Sequence, residues 1–318
     1  MTKLLPLRRW CLAAAVLIAA LDAGSCAKRT EPVAKAQEMP VFEFLGAWGA
    51  KGDGPGKLQH PVVFAADSLN NVFFAEPSEN FVHKFKATGT PLLSFEDPRV
   101  SRAAGIAIDR GAAIYIVDAQ RGNVMIFFPD GTFLRSMRIA AQPHFAGLLG
   151  VSVDDQGNVY VPDPATSRVI KFDDRGREIK FWEKRVPIAQ NPSAIDQKPF
   201  AVTTTKDGSV FVAYADSRRI EKYLPDGSLA TSWAAPAKSA TAPKKITGIA
   251  ATSQVLLVMV ATPPEIRVYT LDGQHKLDND LGGRMVNAVA PQIAVTPRGE
   301  LLVFDPAIPR VYRFRMHL

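Results

Sequence analysis

A short strand-like phrase recurs six times along this chain at a nearly constant interval, and no other feature limits the fold as severely. The copies are Asn71-Val72-Phe73-Phe74-Ala75, Ala113-Ile114-Tyr115-Ile116-Val117, Asn158-Val159-Tyr160-Val161, Ser209-Val210-Phe211-Val212-Ala213, Gln254-Val255-Leu256-Leu257-Val258 and Glu300-Leu301-Leu302-Val303-Phe304. Between their second residues the steps are 42, 45, 51, 45 and 46 residues. A period in this range marks an array in which each unit buries its apolar faces only against its neighbours. The 318 residues would otherwise accommodate two average domains, and the repeat favours one all-β domain instead.

Every copy has the same parts in the same order. An inner strand precedes the phrase at Val62 to Ala66, Gly105 to Ile108, Gly150 to Val153, Phe200 to Thr204, Gly248 to Ala251 and Gln292 to Val295. These segments are rich in small and β-branched residues, as suits strands crowded around an axis. Turns such as Asp155-Gln156-Gly157-Asn158 separate them from the phrase, with glycine supplying the positive φ of a hairpin. A third strand ends in an aromatic residue at Phe85, Phe127, Phe172, Tyr223, Tyr269 and Phe314, and Gly89, Gly131, Gly176, Gly227 and Gly273 mark a second hairpin turn. Four antiparallel strands repeated radially make a six-bladed β-propeller. The last copy lacks an outer strand, and Val41 to Trp48 forms one before the first copy; pairing the two closes the ring and hides an open edge.

The phrases resemble the NHL repeat, most clearly at Val169-Ile170-Lys171-Phe172-Asp173 and Gly157-Asn158-Val159-Tyr160-Val161-Pro162-Asp163. The resemblance spans Val41 to Leu318 and implies a propeller that serves as a binding module or, in lyase and lactonase relatives, as an enzyme. Copies four and five depart most, with Thr205 in place of the aspartate after the inner strand and Thr262-Pro263-Pro264 in the second turn.

Residues 1–25 read as a signal peptide: Lys3, Arg8 and Arg9 lead into an apolar run from Cys11 to Leu21 that is too short to span a bilayer. Ala23-Gly24-Ser25-Cys26 is similar to a bacterial lipobox, except that Ala23 stands where leucine is usual. The same residues suit ordinary signal peptidase, so an acylated Cys26 and a soluble exported chain both remain open. Resemblance to enteric lipoproteins places a chain with Ala27 after the cysteine in the outer membrane. Residues 26–40, without apolar periodicity, form a tether, and 41–318 form the propeller. Cys11 and Cys26 are the only cysteines, which excludes thiolate and cysteine–zinc chemistry from the body.

The mouth of the central channel, beside the starts of the inner strands, is the place to look for a site. There the sequence sets His60, Arg102, Gly147, Lys198, Lys245 and Val289, one per copy. Four cationic or titratable positions in a concave mouth attract an anion. This gives a binding set of His60, Arg102, Lys198 and Lys245, no catalytic residue and no cofactor. The alternative is a Ca²⁺ or Zn²⁺ lyase or lactonase-like hydrolase using His60 and His144. His83, His275 and His317 fall on outer parts of the blades. Asp67, Asp109 and Asp154 recur after inner strands as turn caps, and Asp118, Asp163 and Asp305 end second strands to organise the following turn.

The net charge is +7, falling to +5 without residues 1–25 (35 basic against 30 acidic). No interleaving of basic and aromatic residues forms a nucleic-acid stacking platform, and export removes nucleic acid as a partner. The sequence therefore predicts a non-enzymatic, exported propeller that binds an envelope protein or an anionic polymer, as a monomer or a subunit of an envelope assembly.

Overall fold

The computed structural model describes residues 41–52, 57–118, 121–139, 150–164, 167–183, 198–214, 218–235, 245–261, 263–284, 288 and 290–318. The signal-like segment, Cys26, the tether, His144, Gly147 and Val289 lie outside them.

The repeated phrases become the second strands of six four-stranded antiparallel sheets. Blade one comprises β2 (Val63–Ala66), β3 (Asn71–Glu76), β4 (Phe81–Lys86) and β5 (Pro91–Glu96). Blade two comprises β6 (Ala103–Ile108), β7 (Ile114–Asp118), β8 (Asn123–Phe127) and β9 (Phe133–Arg138). Blade three comprises β10 (Ser152–Val153), β11 (Val159–Asp163), β12 (Arg168–Phe172) and β13 (Glu178–Glu183). Blade four comprises β14 (Pro199–Thr204), β15 (Val210–Tyr214), β16 (Arg219–Tyr223) and β17 (Leu229–Ala234). Blade five comprises β18 (Ile246–Ala251), β19 (Val255–Val260), β20 (Glu265–Thr270) and β21 (His275–Asn279). Blade six takes β22 (Gln292–Val295), β23 (Glu300–Asp305) and β24 (Arg310–Met316) from the end of the sequence and β1 (Phe42–Trp48) from the other end. Phe42 stands opposite Met316 and Trp48 opposite Val311, so the ring closes as the sequence predicts.

The second strands are apolar on both faces because each is sandwiched between neighbouring blades; all six residues of β19 are buried. The core is accordingly divided into six apolar clusters, each shared by two adjacent blades. In blade one, Phe73 and Ala75 pack toward blade two, while Val72 and Phe74 pack toward blade six. The third-strand aromatics sit in one register, Phe85 opposite Val72, Phe127 opposite Ile114, Phe172 opposite Val159, Tyr223 opposite Val210 and Phe314 opposite Leu301. In blade five Tyr269 pairs with Leu256, so the structural equivalent is one residue beyond the Val255 chosen from the phrase.

Candidate binding site in the axial channel

Each inner strand pairs on one side only, and its other edge faces the axis. Their common register stacks equivalent residues into rings. Counted from the third-strand aromatics, one ring is Phe64, Ile106, Val151, Val202, Ile249 and Ile293, one large apolar side chain from every blade. It lines a cavity of about 370 Å³ at the mouth beside the strand starts, here called the start mouth. Among the described residues, two polar side chains share that lining, and both are engaged across a blade boundary. Thr247 Oγ1 donates to the Pro291 carbonyl at 2.6 Å, and Gln292 Nε2 donates to the Val62 carbonyl at 2.6 Å. Among the described residues, no acidic residue lines this cavity.

The opposite opening, the turn mouth, is about 560 Å³ and polar. Asp67, Asp109, Asp154, Thr205, Thr252 and Thr296 mark the ends of the inner strands there, and these side chains are structural caps. Asp154 Oδ1 accepts from the amides of Gln156 at 3.0 Å and Asn158 at 2.8 Å, while Oδ2 accepts from Asn158 Nδ2 at 2.8 Å and Tyr160 Oη at 2.9 Å. Asp67 repeats this pattern on Leu69 and Asn71, and Asp109 on Ala113 and Tyr115. Burial and the Asp109 carboxylate push the Tyr115 hydroxyl up to about 12, which keeps it a proton donor. In blade four Thr205 hands its hydroxyl hydrogen to Asp207, which also accepts from the Ser209 amide. The Thr205 hydroxyl and that amide hold the Asp207 carboxyl below its ordinary value. The capping role expected of the aspartates is therefore met. Asp118 likewise accepts from the Arg121 amide and Asp305 from the Ala307 amide, while Asp163 faces Arg168 at 3.5 Å.

The positions singled out from sequence stand ahead of the inner strands but outside the cavity lining. Arg102 ends the 3₁₀ turn Pro98–Arg102, and Lys198 and Lys245 immediately precede β14 and β18; all three are exposed. His60 is exposed as well, with Nδ1 3.8 Å from a Glu79 carboxylate oxygen. The residues that the fold does bring together are the six apolar ones. They could have been found by aligning the inner strands on the aromatic of the third strand. Among the described residues, no three His, Cys, Asp or Glu side chains converge as metal ligands. His83 is occupied by Ser94 and Glu76, His275 by Asp278 and His317 by Glu43.

No family model and no curated protein matches the sequence. Solved structures do match. A streptogramin B lyase superposes with a TM-score of 0.58 at 13% identity, covering 87% of this chain and 98% of the other. Virginiamycin B lyase from Staphylococcus aureus gives 0.59 at 12%, covering 85% and 95%. The β-propeller domain of Myceliophteria thermophila Cps50 (Swd1) gives 0.58 at 10%, covering 86% and 99%. Similarity at these identities is similarity of fold, and with the strand order it establishes the chain as a six-bladed β-propeller.

Proposed function

We propose that the protein is a non-enzymatic binding module of the bacterial envelope, an NHL-type propeller exported by residues 1–25 and anchored by lipid at Cys26. It engages an envelope component at the start mouth. The observation that carries this reading is the six-fold apolar ring whose two neighbouring polar side chains, Thr247 and Gln292, each bond to the next blade. The apolar area left open there gains by being covered, and none of the described residues that line it is a group for proton transfer. The lipobox-like Ala23-Gly24-Ser25-Cys26 supports the anchor.

Photocrosslinking tests the reading. A benzophenone side chain at Ala290, which lines the start mouth, is compared in the envelope with one at Ser253 at the turn mouth. Adducts from Ala290 alone are expected. Adducts from Ser253 alone, or from neither position, would overturn it, and metal-dependent ester or lactone hydrolysis by the purified chain would favour the enzymatic alternative.

A further inference from the structure

We propose that the start mouth is a binding site for an anionic amphiphile: one aliphatic chain or compact aromatic body carrying a carboxylate, sulfate or phosphate. This rests on the reading above and names the ligand chemistry. The ring of Phe64, Ile106, Val151, Val202, Ile249 and Ile293 offers apolar contact from every blade. The Thr247 hydroxyl and the Gln292 amide each already donate across a blade boundary, which leaves a polar body chiefly the backbone groups on the open edges of the inner strands. An apolar body fills the ring without needing them.

Size narrows the class further. A volume of about 370 Å³ lies near the low end of the roughly 300–1,000 Å³ typical of small-molecule sites. One chain or ring system fits, whereas a globular surface does not enter. Charge gives the ligand its polarity. Among the described residues, the carboxylates that line the channel, Asp67, Asp109, Asp154 and Asp155, are at the turn mouth, and those at the second-strand ends on the start face include Asp118, opposite Ala103, and Asp163, which are ion-paired with Arg121 and Arg168. The exposed cations Arg102, Lys198 and Lys245 precede inner strands of three blades at the other end. An anionic head left at the start mouth thus lies at the end that carries these cations, with the carboxylates that line the channel at the other opening.

Calorimetric titration with octanoate, decanoate and dodecanoate, each below its micellar concentration, tests the proposal on the unaltered chain. Saturable one-to-one binding is expected, tightening about fourfold for each methylene added until the chain outgrows the cavity. The alcohol of equal length should bind more weakly, and the gap should narrow as salt is raised. Ala290 is exposed and lies outside the strands, so Ala290→Trp narrows the mouth without touching the core. It should weaken binding at least tenfold with no change in thermal unfolding. Lys198→Glu should weaken the carboxylate and leave the alcohol unchanged.

Affinity independent of chain length, indifference to Ala290→Trp, or equal affinity for alcohol and carboxylate would overturn the proposal. Absence of amphiphile binding alongside Ala290-specific crosslinks removes this ligand class alone; absence of both removes the binding reading too. Free and bilayer-borne amphiphiles share this chemistry. If phosphatidylglycerol vesicles do not bind the chain, the source is the free molecule; if they bind it and decanoate releases it, the source is the bilayer lipid.

Discussion

A glycine at the third-to-fourth turn does two jobs, and only one is visible in the sequence. Gly89, Gly131, Gly176, Gly227 and Gly273 all take positive φ, as their hairpins require. Each also lies beneath a large side chain from the preceding blade's outer strand: Trp48, Phe95, Met137, Trp182 and Trp233 respectively. At the same register blade five carries Asn279, opposite Ile266 as Trp233 is opposite Ile220. Its neighbour, blade six, receives its fourth strand from the other end of the chain and so has no such turn to cover. Gly273→Ala should show the difference, because a Cβ there would sit 2.6 Å from Trp233 Cε3 at φ +87. The left-handed backbone costs about 1–2 kcal/mol and the overpacking about 1–3 kcal/mol more. Gly299→Ala, at φ +76 with nothing within 4 Å, carries only the first cost. Urea midpoints of the two variants should differ accordingly, and equal losses would remove the packing role. Asp207 sets a pH dependence of its own. Its folded carboxyl titrates below the ordinary value, so the stability it adds is full above that value and is lost as pH falls through the lowered one. Asp207→Asn should flatten the decline in melting temperature between about pH 2 and 5, the range in which carboxylates titrate.

At the scale of the element, the turn after each inner strand shows how one local job can be done with different chemistry. Asp154 accepts four hydrogen bonds, one from the buried Tyr160 hydroxyl, whereas Thr252 Oγ1 accepts from Gln254 and Val255 amides only. Asp154→Ala leaves that hydroxyl unpaired, which adds about 1–3 kcal/mol to the loss of a cap. Thr252→Ala should cost about 1 kcal/mol, close to the usual value for a cap. Equal destabilisation would show that the tyrosine bond contributes nothing. This division explains what the sequence revealed. Strand positions were legible because the phrases alternate between two blade interfaces and their turns need glycine or a capping side chain, so both period and punctuation were on view. The start-mouth ring was legible only through alignment of the inner strands on the third-strand aromatics. Its members are ordinary apolar residues of short inner strands, and β10 amounts to Ser152–Val153. Only pairing with Tyr160 and Val159 places Val151 level with Ile106 and Ile249. Attention to charge found Arg102, Lys198 and Lys245, which flank the mouth in sequence, and missed the apolar surface inside it because charge alone carries no register.

For the whole molecule, stability depends on a closed circle of similar interfaces, and β1 is the strand that closes it. Phe42 belongs to the cluster between blades five and six, and Trp48 packs against the cluster between blades six and one. Inner strands add bonds across successive blades, among them the Gly150 amide to the Phe200 carbonyl at 2.8 Å and Gln292 to Val62 across the closure. Removing residues 41–48 exposes the β24 edge, uncovers Gly89 and strips apolar cover from two of the six interfaces. A ring opened in this way becomes a linear array whose terminal blades unfold on their own. We expect the deletion to abolish the single cooperative thermal transition, and an unchanged transition would defeat the closure argument. A circular permutant separates the strand's role from its place in the sequence. The His317 amide donates to the Val41 carbonyl at 2.9 Å, so the chain ends of blade six already lie side by side. Joining residue 41 to residue 318 through a short glycine linker and opening the chain after Trp48 turns β24 and β1 into a hairpin. Cooperative melting should persist in the permutant if β1 serves as the fourth strand of blade six, whereas its loss would mean that closure requires the strand to enter from the opposite end of the chain.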